Sequence, residues 1–474
     1  MLPILRTAAL ALVLNSSAAS AQVFVLDPYF GTGGIATYEW PVANGYQWDA
    51  VDAWAVHLAD GKWAVATQLR DGTSQIAAVN WFDANGQVTP GSPGAGAYTP
   101  FTRFLWNLAG LSLSSDGSLT LGTSFRPSSS DIDFLAFRAF VDGTPGYSAC
   151  NGTFFQQVFF DLAPPSAIDD VMGAITQDFI GRQVMVGTLT SGAGESRIGV
   201  ARIQPQCGLD ASFNGTGKQV VDPNPYTIFP PPRRAHANAV IHDAIGRILV
   251  GGGVTFGLNN TDDGACIVVR LLSTGQRDPN FGNNGVAYIN SFTQTPGNIR
   301  CDVRGLAVQT NGRIIVNMDW TLTNAQGTSR REYNQRLTDQ GGYDPSWVDP
   351  CCTVGFSNVE VKAGGTALME GDAVALIVYS SLTNQVGVDD ARGTLIPLRL
   401  SDGSYASGFI ANGQLPLGLA SASYHRVIAE SADSFIVVAT SGDDLFNHRR
   451  VHLLRYRRAS TIPDDTIFRN GFEP

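Results

Sequence analysis

The chain is poor in charge and almost without lysine. Charged residues make up 15% of its 474 positions, where an ordinary globular protein carries roughly 25%. Lysine stands only at Lys62, Lys218 and Lys362, so the basic side chains are almost all arginine. The formal net charge of −10 argues against nucleic acid as a partner, because holding a phosphate backbone needs a basic surface. Beyond the N-terminus no stretch reaches the ~18 consecutive apolar residues of a membrane helix, which predicts no transmembrane segment. Motifs with a chemical mechanism are missing too. There is no G-x-S-x-G nucleophile elbow, and Gly251-Gly252-Gly253 lacks the Lys and Ser/Thr of a phosphate loop. His236, His425, His448 and His452 show no metal-ligand spacing such as H-E-x-x-H.

What is abundant points to strands and turns. Glycine occurs 52 times, about 11% against a usual ~7%. Apolar residues at 44% suffice for a large core. The first residues, MLPILRTAALALVLNSSAASA, have the form of a secretory signal. Arg6 supplies the positive start, Thr7 to Leu14 the apolar run, and Ala19-Ser20-Ala21 an A-x-A site. Cleavage between Ala21 and Gln22 is expected, so residues 1–21 are read as a signal peptide. The six cysteines, Cys150, Cys207, Cys266, Cys301, Cys351 and Cys352, then all lie in an exported chain where disulfides persist.

The segment VVRLLSTGQRDPNFGNNGV (268–286) has relatives elsewhere: VARIQPQCGLDASFNGTG (200–217), NQRLTDQGGYDPSWVDP (334–350) and PLRLSDGSYASGFIANGQ (397–414). In the last of these, Phe409 falls in register with Phe281. The arginine forms a column, Arg138, Arg202, Arg270, Arg336, Arg399 and Arg455, with Asn80 in the first place and steps of 56 to 68 residues. A turn between two apolar runs precedes each, as in ADGKWAVA (59–66) and AIGRILVGG (244–252). Both columns count seven. Hairpin strands that are apolar on both faces must be sandwiched between copies of themselves, and a seven-bladed β-propeller meets that condition. The punctuation is missing after the seventh strand of this column, VHLLRYRRA (451–459), and stands instead at LDPYFGTGG (26–34). The N-terminal strand is therefore expected to pair with the C-terminal one and close the ring over residues 22–460, leaving 461–474 as a tail.

The pattern L-D-x-x-F-G-x-x-G, A-V/I-Q/H, D-G-K/R-I-x-V-x-G, R-L resembles the delta-60 repeat family of secreted bacterial proteins. That likeness implies a β-propeller and brings no catalytic motif. The ending DDTIFRNGFEP (464–474) is similar to I-F-x-x-G-F-E tails on exported proteins of some Gram-negative bacteria, which implies a sorting or display signal.

Each column arginine sits among apolar neighbours, where a charge must be paired. Repetition in every unit predicts an inter-blade ion pair or arginine-to-carbonyl bonds. His57 and His242 stand four residues before a turn glycine, and Gln177 and Gln309 occupy nearly the same place, so the column reads as a hydrogen-bonding strand position. The acidic loops 259–264 and 441–444 could hold Ca²⁺, but neither matches D-x-D-x-D-G and solvated turns are expected. No cofactor is predicted. Six cysteines allow fifteen pairings; topology puts Cys266 with Cys301 and Cys150 with Cys207 at shared ends, leaving Cys351-Cys352 adjacent or re-paired. The reading is an exported, monomeric binding module, extracellular, surface-displayed or periplasmic, for an unknown protein or glycan. The alternatives are an exported hydrolase or lyase using the channel, with or without Ca²⁺, and a lectin-like glycan binder.

Overall fold

The computed structural model describes residues 24–40, 49–71, 74–89, 97–98, 105–114, 117–128, 131–139, 155–160, 169–223, 234–256, 264–289, 298–324, 327–348, 359–369, 374–383, 391–406, 409, 415–417, 419, 422–442 and 448–462. The signal peptide, its cleavage site, the C-terminal tail, both acidic loops in large part, and Cys150, Cys351 and Cys352 lie outside the described residues.

Two short strands open the chain, β1 (Phe24–Leu26) and β2 (Ile35–Glu39). Seven antiparallel blades follow. Blade 1 is β3–β6 (Asp49–His57, Trp63–Asp71, Ser74–Phe82, Ala97–Tyr98), and blade 2 is β7–β10 (Leu105–Leu113, Leu119–Ser128, Asp131–Ala139, Phe155–Val158). Blade 3 is β11–β14 (Asp170–Gln177, Gln183–Thr190, Ser196–Ile203, Lys218–Val221), and blade 4 is β15–β18 (Arg234–His242, Ile248–Thr255, Gly264–Leu271, Val286–Ile289). Blade 5 shows three described strands, β19–β21 (Asn298–Val308, Ile314–Asn324, Gly327–Leu337), and blade 6 is β22–β25 (Val359–Met369, Val374–Thr383, Ala391–Arg399, Leu415–Leu417). Blade 7 is β26–β28 (Ala422–Ser431, Ser434–Gly442, His448–Arg458), completed by β1 and β2, which both pair with β28. The expected closure of N- and C-terminal strands is thus present, and the molecule is an all-β seven-bladed propeller.

Burial follows strand position. The second strand of a blade is covered on both faces, so β4, β12, β16 and β27 are buried almost throughout. The innermost strands β3, β15 and β26 alternate instead, because one of their faces looks into the axial channel. The apolar clusters lie between blades. Val184, Val186 and Val200 of blade 3 pack on Ile248, Val250 and Ile267 of blade 4, and Ile436, Val438 and Leu453 of blade 7 pack on Trp63 and Val65 of blade 1.

Polar rivets repeat where the apolar contacts end. Arg202, Arg270 and Arg336 each direct Nε at the aspartate of the joint that follows, Asp210, Asp278 and Asp344, at 2.8, 2.9 and 2.8 Å. Their guanidiniums lie over Phe213, Phe281 and Trp347, at 4.8, 4.4 and 4.7 Å from the ring centres. Nη1 of each then donates to a carbonyl of the next blade, Ser273, Asp339 and Leu400. The ion pair is therefore within the repeat and the carbonyl bond between repeats. Arg455 carries the series across the seam, with Nη1 on the carbonyl of Ala84 in blade 1 at 3.1 Å and its guanidinium 5.2 Å from the Phe30 ring. Two members differ: Arg138 donates to Ser114 and Ser118 of its own blade, and Arg399 is exposed with Nη1 on Ser404.

The joints repeat a backbone bond as well. The N–H after each joint aromatic reaches the next blade's turn: Asn214 to Thr274, Gly282 to Gln340, Val348 to Asp402, and Gly31 to Asn85, at 2.6 to 2.7 Å. A disulfide links Cys266 of β17 to Cys301 of β19, joining blades 4 and 5 at the end where their innermost strands begin. Cys207 is disulfide-bonded too.

The axial channel as candidate functional site

Pairing between first and second strands is interrupted in the same region of every blade. Register shifts fall between Ala50 and Asp52, Leu108 and Gly110, Met172 and Ala174, Ala237 and Ala239, Val303 and Gly305, Ala363 and Thr366, and Tyr424 and Arg426. Each shift is a β-bulge, an extra residue that bends the strand and redirects side chains. The bulged positions are Val51, Ala109, Gly173, Asn238, Arg304, Gly364-Gly365 and His425. Neighbouring inner strands approach closely there: a Cβ on Gly173 would lie 1.8 Å from the Ala237 carbonyl oxygen. Within this ring of bulges is a cavity of about 440 Å³ lined from all seven blades.

Its wall is polar, and its charges gather on one side. Arg304 of blade 5 donates from Nε to Asp319 at 3.0 Å and from Nη2 to Asp302 at 3.4 Å. Asp302 also meets the Nε2 of His236, which reaches over from blade 4. Burial alone would raise the Asp302 carboxyl, but His236, Arg304 and Arg300 hold it far below the usual carboxylate range. For Arg304, burial disfavours the charge and the two aspartates outweigh it, so its pKa is raised.

Across blade 6 stands a second group. His425 places Nδ1 3.2 Å from Asp52 and Nε2 2.9 Å from Thr440 Oγ1. Arg426 lies 3.6 Å from the centre of the Trp54 ring, donates from Nη1 to the His425 carbonyl at 2.6 Å, and keeps Nη2 3.8 Å from Asp52. Burial lowers the Arg426 pKa, Asp52 only partly restores it, and the charge of Arg304 lowers it further. Asp52 is pushed up by burial and brought below its ordinary value by Arg426 and His425. Arg304 keeps 40% of its side chain accessible and Asp52 28%, although both stand inside the ring, so these charges face channel water.

Sequence reasoning did not find this site. Linear spacing passes over both His236 and His425; the ring places His425 on the cavity wall from blade 7, whereas His236 of blade 4 meets Asp302 and is not one of the lining residues. Asp52, Arg304 and Arg426 carried no motif. A faint signal did exist: Asn238, Arg304 and His425 are polar residues at matching distances before the hairpin turn. The other histidines sit elsewhere. His57 packs on Trp63 and lies 3.8 Å from Glu430, while burial pushes His242 down. His452 bridges Thr37 of β2 and Ser441 of β27, at 2.9 and 2.7 Å, inside the seam. Gln177 accepts from Gln183 at 3.1 Å. Among the described residues no group of three His, Cys, Asp or Glu is placed to hold a metal, and no helix is long and apolar enough to cross a membrane.

No protein-family model matches the chain, and no curated protein matches it. Solved structures match the chain at low identity. A protein of unknown function from Dyadobacter fermentans is 11% identical, with a TM-score of 0.45 over 90% of this chain and 100% of that one. The polysaccharide lyase Uly1 is 9% identical, with a TM-score of 0.47 over 91% and 92%. Sqt1 of Chaetomium thermophilum is 12% identical, with a TM-score of 0.43 over 90% and 99%.

Proposed function

We propose that this protein is an exported binding module of the delta-60 repeat type that takes a small polar ligand in its axial channel. One observation carries the reading: every innermost strand bulges around the same polar cavity. Bulges concentrate next to functional sites because they re-aim side chains. Ligand pockets commonly measure ~300–1,000 Å³, and the cavity of about 440 Å³ falls within that range. Export is supported by the leader sequence and by a disulfide, a bond that oxidising compartments favour.

The test uses mature chain recovered from the expressing cells, in a thermal-shift screen of metabolites beside an Asn238→Trp variant that fills the channel. A ligand at a hundredfold excess over its Kd should stabilise the native chain by about 2.7 kcal/mol and leave the filled variant unmoved. Equal shifts in both would refute a channel site, and recovery only from the cytoplasm would refute export. A second reading rests on the contact between His236 and Asp302, the arrangement that orients a general base. Turnover of the bound ligand, abolished in Asp302→Asn while binding persists, would make the protein an enzyme.

A further inference from the structure

We propose that the channel's anchor is an oxyanion site built by Arg304 and Arg426, and that its ligand is a small hydroxylated acid held by its carboxylate. The inference rests on the channel reading above and adds the chemical class of the ligand.

The two guanidiniums enter from blades 5 and 7, on either side of blade 6, whose own bulge is Gly364-Gly365 and brings no side chain between them. Like charges so placed favour an anion between them. Both side chains line the same cavity. Arg304 commits Nε and Nη2 to Asp319 and Asp302 and leaves Nη1 without a protein acceptor among the described residues. Arg426 commits Nη1 to a carbonyl, while Nη2 is 3.8 Å from Asp52, beyond hydrogen-bond length. Two planar forks with spare N–H groups match a carboxylate.

The opposite charge preference fits less well. Asp52, Asp302 and Asp319 each already face a cationic side chain, so an incoming cation would compete with arginine for every oxygen. The rest of the wall offers amide and hydroxyl groups, Asn238, Thr188 and Ser423 among them. Such groups both donate and accept, which suits a body carrying several hydroxyls.

Calorimetric titration of the mature chain tests this with D-glucuronate, D-gluconate and tartrate against their uncharged counterparts D-glucose, D-glucitol and threitol. At least one acid should bind saturably, and its uncharged counterpart at least tenfold more weakly. Arg304→Lys and Arg426→Lys keep the charge but lose the fork, and each should weaken the acid about tenfold while the melting temperature shows the fold intact. Inorganic sulfate is the competitor: displacement means that the anchor takes any oxyanion, and failure to displace means that it reads the planar carboxylate. Absence of binding by all three acids overturns the proposal, as does equal binding of acid and alcohol or unchanged affinity in both lysine variants. Tight binding of an alcohol that Asn238→Trp abolishes would sink the anchor alone and leave the channel reading standing.

Discussion

Arg336 has no exposed surface, and it faces Asp344 from the penultimate position of β21. Removing one member of such a buried pair leaves the other uncompensated and costs about 3–5 kcal/mol. Arg399 occupies the same column but is exposed, where a charged side chain contributes less than about 1 kcal/mol. Urea denaturation of Arg336→Ala and Arg399→Ala should therefore separate widely, and equal costs would show that the column is not a set of buried rivets. The acid limb gives a second readout of the same pair. Burial pushes the Asp344 carboxyl up, but hydrogen bonds from Ser346 and the Arg336 charge bring it below its ordinary value. A carboxyl depressed in the folded state adds stability that is complete above its unfolded pKa of ~3.9. That stability is lost as pH falls through the folded value, and Arg336→Ala should shrink it.

Strands and joints were legible from the sequence because they recur: seven turns, followed by Asn80 in the first unit and an arginine in the other six, fix where hairpins and blades fall. The bulges were not. A bulge is one extra residue in a strand, and in the linear pattern Asn238 and Arg304 merely continue an alternation, after Arg234 and His236 in one strand and Arg300 and Asp302 in the other, so nothing marks them as redirected side chains. The cavity depends on which seven such residues meet across a ring, a relation between positions hundreds of residues apart that no local spacing encodes. Turn glycines show the opposite case, where sequence recurrence marks a steric need. Gly341 has φ +81°, and a Cβ there would lie 2.9 Å from the Phe281 ring and 3.0 Å from the Gly282 nitrogen. Gly246 has φ +83° with nothing within 4 Å. Alanine at either adds the left-handed strain of ~1–2 kcal/mol, and at Gly341 a further ~1–3 kcal/mol of overpacking against the neighbouring blade's anchor. Thermal melts of Gly341→Ala and Gly246→Ala should differ in that order, and a reversed order would mean that the joint yields freely.

A propeller has no edge only if its last blade meets its first, and here that contact is made by the chain's own beginning. β1 and β2 both pair with β28, and the Phe30 joint repeats between blades 7 and 1 the contact made by Phe213 and Phe281 between successive blades. Phe24 and Phe30 are both fully enclosed. Losing two such side chains costs about 6–10 kcal/mol, comparable with the whole stability of ~5–15 kcal/mol of an ordinary fold. Deleting residues 24–39 should therefore lower the melting temperature of all seven blades together, in one transition. A shortened chain can lose stability for a trivial reason, so a circular permutant carrying residues 24–40 behind residue 462 through a flexible linker supplies the control. It restores both strands to β28 and should recover the parent's melting temperature. Retained stability in the deletion would mean that the ring holds without its seam, and failure of the permutant would mean that connectivity, not pairing, closes it.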